Sequence, residues 1–267
     1  MRAIADTFAR GRERNAAAFV AYLTAGDPSL DVTPELLRAL VAGGADLIEL
    51  GVPFSDPMAD GPVLQRAAGR AIRAGTSLAR VLEMVALERA SLPVPIVLFG
   101  YYNPFLRYGI DAIARDAKAA GVDGFLCVDL PPEESGVLGA ALERNGLDLI
   151  RLLAPTTPVK RVQTIAKTSS GFLYFVSVLG VTGARSELPQ DLPALVERVR
   201  GVTSLPIGVG FGVQTPEQAR WIAGFADAVI VGSAIQRLVE EHGQDGAPAK
   251  LEAFVRSLKD GMRAARA

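Results

Sequence analysis

The sequence has very few metal-binding and redox-active side chains. Its 267 residues include one cysteine, Cys127, and one histidine, His242. A disulfide needs two cysteines, and zinc sites in proteins are built mainly from cysteine and histidine. The composition therefore excludes a disulfide within the chain, a cysteine-based zinc site and a histidine-rich metal cluster. We expect no metal.

An excess of charge of one sign and a long hydrophobic run are also missing. Lys and Arg number 28 against 29 Asp and Glu, which gives a formal net charge of -1. Nucleic-acid binding requires a basic surface, so we predict no nucleic-acid partner. Residues 1–19 carry scattered charges where a secretory signal needs an unbroken apolar core, and no apolar run long enough to span a membrane follows. We therefore expect a cytoplasmic protein.

Apolar residues make up 49% of the chain, and they recur as short β-rich runs separated by amphipathic stretches with helical spacing. The predicted strands are 18–24, 46–50, 95–101, 124–128, 148–153, 171–178, 206–211 and 227–232. Alternating strands and helices without a linker favour a (β/α)8 TIM barrel over a doubly wound sheet. We predict one catalytic domain over residues 1–267.

Additional helices are predicted around the barrel. An N-terminal helix has Ile4 and Phe8 on one face, which suits a cap on the barrel bottom. Residues 62–75 predict an extra helix after the second strand, and residues 248–267 predict a C-terminal helix. The segment 241–249, EHGQDGAPA, is rich in glycine and polar residues and is predicted to be a loop.

Glu49 is the first catalytic candidate because it lies within the apolar run DLIEL. Side chains alternate along a strand, so Ile48 and Leu50 would face the helices while Leu47 and Glu49 would face the barrel interior. Burying a carboxylate costs free energy, so its presence in an apolar strand indicates a functional or structural role. TIM barrels build their active sites at the C-terminal ends of the strands, where Glu49 is expected. A structural ion pair is the alternative.

Asp60 lies 11 residues after Glu49, in the loop MADGP at the same end of the predicted barrel. Two carboxyls in an apolar pocket can divide their roles, one transferring protons and the other stabilising positive charge. A turn residue before Gly61 explains Asp60 equally well. Asp129, at the end of LCVD, is a third acid at this end, with a helix-capping role for the next helix as its alternative.

Three late loops are rich in glycine: GVTGARSELP, GVGFGVQTPEQA and VGSAIQ, after the sixth, seventh and eighth predicted strands. Loops at these positions of a TIM barrel, together with a helix N-terminus, commonly bind phosphate through backbone N–H groups. The expected contributors are Gly183, Gly212, Gly232 and Ser233. Glycine is also common in turns that bind nothing.

Aromatic side chains are expected between the acids and the glycine loops, and each taken singly is explained better by packing than by ligand contact. These residues are Tyr22, Phe99, Tyr101, Phe125, Tyr174 and Phe211. Together they would suit a flat apolar substrate group opposite a phosphate.

Six segments in this order resemble the tryptophan synthase alpha chain family: YLTAGDP, LIELGVPFSDPMADGP, VDLPPEES, GVTGA, GVGFGV and VGSAI. The second is highly specific, and the set spans nearly the whole chain. The resemblance implies a TIM barrel that cleaves indole-3-glycerol phosphate to indole and glyceraldehyde 3-phosphate, without a metal or an organic cofactor of its own.

The resemblance also implies roles for individual residues. Glu49 corresponds to the acid/base, and Asp60 to the carboxylate that binds the indole N–H. The positions corresponding to the phosphate site are Gly183, Phe211, Gly212, Gly232 and Ser233. The substrate-contacting positions are Tyr22, Leu64, Phe99, Tyr174 and Thr182. Tyr22 stands where the family often has phenylalanine, and Val178 stands where some members have arginine.

Residues 179–190 resemble the family's mobile lid, with Thr182 able to reach Asp60 on closure. Asp56, in FSDP, resembles the contact with a pyridoxal-phosphate beta chain in an α2β2 heterotetramer, to which indole is passed. The sequence leaves open a stand-alone lyase, a non-catalytic regulatory subunit and a phosphosugar isomerase or epimerase barrel.

Overall fold

The computed structural model describes residues 3–176, 190–210, 212–263 and 265. Eight parallel strands pair in chain order, and the eighth pairs with the first, so the sheet closes into a barrel. The strands are β1 (Ala18–Thr24), β2 (Leu47–Gly51), β3 (Ile96–Gly100), β4 (Gly124–Cys127), β5 (Asp148–Leu153), β6 (Leu173–Val176), β7 (Ile207–Gly210) and β8 (Ala228–Val231). The predicted (β/α)8 TIM barrel is confirmed.

Helices follow the strands and pack around the barrel. They are α1 (Ala3–Glu13), α2 (Thr33–Gly43), α3 (Pro62–Arg73), α4 (Leu78–Glu88), α5 (Tyr102–Tyr108), α6 (Ile110–Ala120), α7 (Gly136–Arg144), α8 (Val159–Lys167), α9 (Leu192–Arg200), α10 (Pro216–Ala223) and α11 (Ser233–Arg263). The extra helix predicted after the second strand corresponds to α3. In the part of the chain that the structure describes, every helix is too short or too polar to span a bilayer.

The core has two layers because side chains alternate along each strand. Outward-facing residues such as Ile48 and Leu50 form a large apolar cluster with the surrounding helices. Inward-facing residues such as Leu47 fill the barrel itself. The N-terminal helix α1 adds Ile4 and Phe8 to this inner cluster, so its predicted place beneath the barrel is confirmed.

The loop predicted for residues 241–249 is wrong. These residues belong to α11, which is interrupted only at Gly243, where φ is 61° and ψ is -165°. The composition predicted a loop, but Ala247 and Leu251 are fully buried beyond the break. Burial of an apolar face overrides weak helix propensity, which explains why the helix resumes at once despite Pro248.

Candidate active site

Glu49 lies on β2 and is fully buried inside the barrel. Neither of its carboxyl oxygens has a hydrogen-bond partner among the described residues. Burial raises the pKa of Glu49 to about 8, because a charged carboxylate loses its hydration in an apolar interior. The side chain is therefore protonated at neutral pH, and it can donate a proton to a substrate.

Asp60 lies in the loop between β2 and α3, at the C-terminal end of the barrel. Its carboxyl forms a hydrogen bond with the Tyr101 hydroxyl, which in turn accepts the N–H of Ala59 at 3.0 Å. Burial raises the pKa of Asp60 to about 6, and the hydrogen bond from Tyr101 opposes this rise. Asp60 is therefore ionised at neutral pH, when Glu49 is protonated.

Tyr22 and Tyr174 lie in the inner cluster close to both acids. Burial raises the pKa of each tyrosine, and the charges of Glu49 and Asp60 raise it further. Tyr22 is paired in register with Glu49, and its ring meets Phe99 edge-on with 5.1 Å between centroids. The structure thus brings these three aromatic residues and the two acids together. Leu64, on α3, packs against the same cluster.

Two of the expected phosphate contacts precede a helix, and they have backbone features that favour glycine. Gly212 has a φ of 84°, which side-chain-bearing residues rarely adopt. A Cβ atom on Gly232 would lie 3.3 Å from Cβ of Tyr22, so the chain passes close to the aromatic pocket there. Ser233 is the first residue of α11. The first N–H groups of a helix have no partner within the helix and can bind an anion.

Several expected site residues lie outside the described part of the chain. They are Thr182, Gly183 and Phe211, together with Val178 and residues 179–189 of the expected lid. Asp56 is described and is exposed to solvent near Met58, whose relative exposure is 81%. Its predicted contact with a partner stays a prediction.

Sequence reasoning undervalued Tyr101 and misplaced two other residues. The sequence predicts Tyr101 only as one of six strand-end aromatic residues, with packing as the better explanation for each one singly, whereas its hydroxyl binds Asp60. Its position directly after β3 was the only sequence signal. Phe125 faces the outer core, where its ring meets Phe105 with 5.2 Å between centroids. Asp129 does not cap the following helix, α7, whose N-cap residue is Ser135 and which has no side-chain cap. Asp129 instead accepts the N–H of Tyr102, the first residue of α5, at 2.7 Å.

The described residues contain no cluster of three or more acids, histidines or cysteines that could hold a metal ion. The barrel combines a fully buried acid, Glu49, with a partly buried acid of lower pKa, Asp60, beside an aromatic pocket and a helix N-terminus. This arrangement is that of an acid–base enzyme for a phosphorylated aromatic substrate.

Comparisons with known proteins give the family. The model of the tryptophan synthase alpha chain family matches residues 8–263. The alpha chain of Citrifermentans bemidjiense is 50% identical over 262 residues, which cover 98% of each chain. The chain therefore belongs to the tryptophan synthase alpha chain family.

Solved structures agree with this assignment. The alpha subunit of tryptophan synthase from Legionella pneumophila superposes with a TM-score of 0.92 at 37% identity, with 99% of each chain covered. A chain of Mycobacterium tuberculosis tryptophan synthase gives a TM-score of 0.90 at 41% identity, with 97% of this chain and 98% of that chain covered.

Proposed function

We propose that Glu49 and Asp60 divide the acid–base work of the family's lyase reaction. That reaction is the retro-aldol cleavage of indole-3-glycerol phosphate to indole and D-glyceraldehyde 3-phosphate in tryptophan biosynthesis. The observation that carries the proposal is the difference between two neighbouring carboxyls, with pKa values of about 8 for Glu49 and about 6 for Asp60. Between these values one acid holds a proton while the other holds a negative charge.

In the proposed sequence, protonated Glu49 first transfers its proton to C3 of the indole ring. The positive charge that develops on the ring nitrogen is stabilised by ionised Asp60, which accepts the indole N–H. The Glu49 carboxylate then takes the proton of the adjacent glycerol hydroxyl. The carbon–carbon bond breaks, its electron pair returns to the indole ring, and the hydroxyl carbon becomes the aldehyde. Glu49 finishes protonated, so the cycle is closed.

The remaining contacts hold the two ends of the substrate. Tyr22, Leu64, Phe99 and Tyr174 would surround the indole ring, which their packing beside Glu49 supports. Gly212, Gly232 and Ser233 would bind the phosphate through backbone N–H groups. The position of Gly232 and Ser233 at the start of α11, and of Gly212 in the loop before α10, supports this. By the family resemblance, Gly183 and Phe211 would complete this site, and Thr182 would reach Asp60 from the lid.

The proposal includes a tryptophan synthase beta chain as partner in an α2β2 heterotetramer, with Asp56 at the contact. The similarity to a chain of the Mycobacterium tuberculosis tryptophan synthase supports this assembly. The chain would need no cofactor, and pyridoxal phosphate would belong to the beta chain. One catalytic domain over residues 1–267 and a cytoplasmic location complete the proposal. Limited proteolysis and cell fractionation test these last two points.

The deciding experiment measures release of glyceraldehyde 3-phosphate from indole-3-glycerol phosphate by the purified chain, with and without a tryptophan synthase beta chain. We expect slow turnover that rises sharply when the beta chain is added. Fast turnover that ignores the beta chain would indicate a stand-alone lyase. Absence of turnover under both conditions would contradict the proposed roles of the acids and would favour a regulatory subunit.

A further inference from the structure

A buried glutamine lies directly behind the proposed phosphate site. Gln236 belongs to the first turn of α11 and is fully buried. Its side-chain oxygen accepts the N–H of Thr24 at 2.9 Å, and its side-chain nitrogen donates to the carboxylate of Asp27. Thr24 ends β1, and Asp27 lies in the loop that follows. One amide group therefore connects the start of α11 to the end of β1.

The backbone N–H of Thr24 needs this acceptor because the hydrogen-bonded pairing between β1 and β8 ends before Thr24. The pairing of β1 with β8 ends at Ala21 and Val231, since the chain turns into α11 soon after Val231. On the opposite side, the N–H of Ala25 still bonds to Gly51 of β2 at 2.9 Å. Thr24 is only 1% exposed, so water does not reach its N–H group. Gln236 thus supplies the hydrogen-bond acceptor that a further residue of β8 would have provided to the N–H of Thr24.

Asp27 makes the connection rigid. It is fully buried, and Arg70 of α3 donates to both of its carboxylate oxygens, at 2.7 and 2.8 Å. Arg70 also donates to Glu240 at 2.7 Å, one turn after Gln236 on α11. The first two turns of α11 are therefore held at two points by one charged network. Asp27 and Gln236 are fully buried, while Arg70 and Glu240 are partly buried. The network fixes geometry because leaving a buried member unpaired is costly.

We propose that Gln236 is a positioning residue for phosphate binding. By holding the first turn of α11 against β1, it keeps the free N–H groups at the helix start aimed at the phosphate. The same connection sets the distance between the phosphate and the indole pocket, since Gly232 lies against Tyr22, two residues before Thr24. This inference rests on the proposed phosphate site at Gly232 and Ser233, and it adds the residue that orients that site.

The test replaces Gln236 with methionine, which has a similar volume but makes neither hydrogen bond. The dissociation constant of glycerol 3-phosphate and the KM for indole-3-glycerol phosphate are expected to rise about tenfold, the equivalent of one lost hydrogen bond. The kcat should change much less, because Glu49 and Asp60 are not touched. Gln244→Met is the matched control, since Gln244 is exposed on the same helix beyond the break at Gly243.

A paired exchange separates positioning from simple stability. Asp27→Asn combined with Gln236→Glu reverses the direction of the hydrogen bond between the two side chains, and the new carboxylate can still accept the N–H of Thr24. The asparagine has one acceptor oxygen, so it loses one of the two bonds from Arg70, and Asp27→Asn alone is the reference variant for that loss. We expect the pair to recover most of the phosphate affinity that Gln236→Met loses. If Gln236→Met does not fold, the affinity of this pair relative to Asp27→Asn alone still decides the question. A well-folded pair that binds glycerol 3-phosphate no better than Asp27→Asn alone contradicts the inference.

The outcomes distinguish this inference from the proposed function. Normal glycerol 3-phosphate binding by Gln236→Met overturns the inference and leaves the phosphate site intact. A lower melting temperature with unchanged KM would likewise reduce Gln236 to a structural residue. If the unaltered chain fails to bind glycerol 3-phosphate, the phosphate site itself is wrong, and the inference falls with it.

Discussion

At the residue scale, the carboxyl groups of Glu49 and Asp60, both at the C-terminal end of the barrel, have different protonation states at neutral pH because their surroundings differ. Glu49 has no hydrogen-bond partner among the described residues, so only burial acts on its pKa. Asp60 is also affected by burial, but the Tyr101 hydroxyl stabilises its charged form. The chemical difference between the two groups thus comes from neighbours that lie far from them in the sequence.

Replacing Glu49 with glutamine should abolish cleavage and leave ligand binding intact, because the shape is kept but the transferable proton is lost. A loss of roughly 100- to 10,000-fold in kcat is expected for a general acid–base group. Steady-state release of glyceraldehyde 3-phosphate measures this, and glycerol 3-phosphate binding serves as the folding check. Glu143→Gln, on the exposed face of α7, is the control. Comparable rates in the variant and the unaltered chain would remove Glu49 from the mechanism.

The pH profile of kcat/KM should be bell-shaped, because the reaction needs Asp60 ionised and Glu49 protonated. The acidic limb is expected near the Asp60 pKa of about 6, and the basic limb near the Glu49 pKa of about 8. Tyr101→Phe removes the hydrogen bond that lowers the Asp60 pKa, so the acidic limb should move to higher pH. Tyr108→Phe is the control, since Tyr108 bonds to Asp116 instead. An unmoved limb in Tyr101→Phe contradicts the assignment.

Ser233→Asp should weaken substrate binding, because it places a negative charge at the proposed phosphate site. The expected result is a higher KM for indole-3-glycerol phosphate and weaker binding of glycerol 3-phosphate. Ser257→Asp places the same charge on an exposed position of the same helix and should have no effect. An unchanged KM in the first variant would mean that the phosphate binds elsewhere.

At the element scale, α11 combines two tasks that its single break at Gly243 separates. Its first part begins at the proposed phosphate site and carries Gln236, while its later part buries Ala247 and Leu251. The break lets each part follow the surface against which it packs. The backbone angles at Gly243 belong to a region that is essentially restricted to glycine.

Gly243→Ala should therefore destabilise the fold by about 1–3 kcal/mol through backbone strain. Apart from the adjacent backbone, no atom of the described residues lies within 4 Å of the added Cβ, so a clash with another side chain does not contribute. Chemical denaturation measures the change. Gly136→Ala is the control, because its Cβ also meets no atom within 4 Å and its φ is not positive. Equal stability of the two variants would contradict the strain argument.

At the scale of the whole molecule, a buried protonated acid in the barrel costs stability. The pKa of Glu49 is about 8 in the fold, against an ordinary value of 4.5 for a solvated glutamate. Below about pH 4.5 both states are protonated and the group contributes nothing. Between pH 4.5 and 8 the unfolded chain releases the proton while the folded chain keeps it, so the unfolded state gains in stability. The raised pKa of Glu49 therefore lowers the free energy of unfolding at neutral pH, where the protonated acid serves the proposed catalysis.

Glu49→Gln should consequently raise the melting temperature at pH 8 and have little effect near pH 4.5. The gain at pH 8 is expected to be on the order of a few kcal/mol, since each pKa unit corresponds to about 1.4 kcal/mol. Thermal unfolding across this pH range, with Glu143→Gln as control, tests it. A stability difference that does not vary with pH would show that the pKa of Glu49 is not raised in the fold.

Much of this protein follows from its sequence alone. The repeated strand and helix patterns predict the barrel, because an alternating strand next to an amphipathic helix has few ways to bury its apolar face. The isolated Glu49 in an apolar run and the glycine-rich late loops point to one end of that barrel. These signals are local, and their positions follow from the alternation of side chains along a strand.

Only the tertiary structure decided which groups meet. Tyr101 and Asp60 are 41 residues apart, and Gln236 and Thr24 are 212 apart, so no local pattern connects them. The continuation of α11 through the segment predicted as a loop, the outward direction of Phe125 and the partner of Asp129 were decided in the same way. Each depends on burial against distant elements, and the free energy of that burial exceeds the local preferences that the sequence displays.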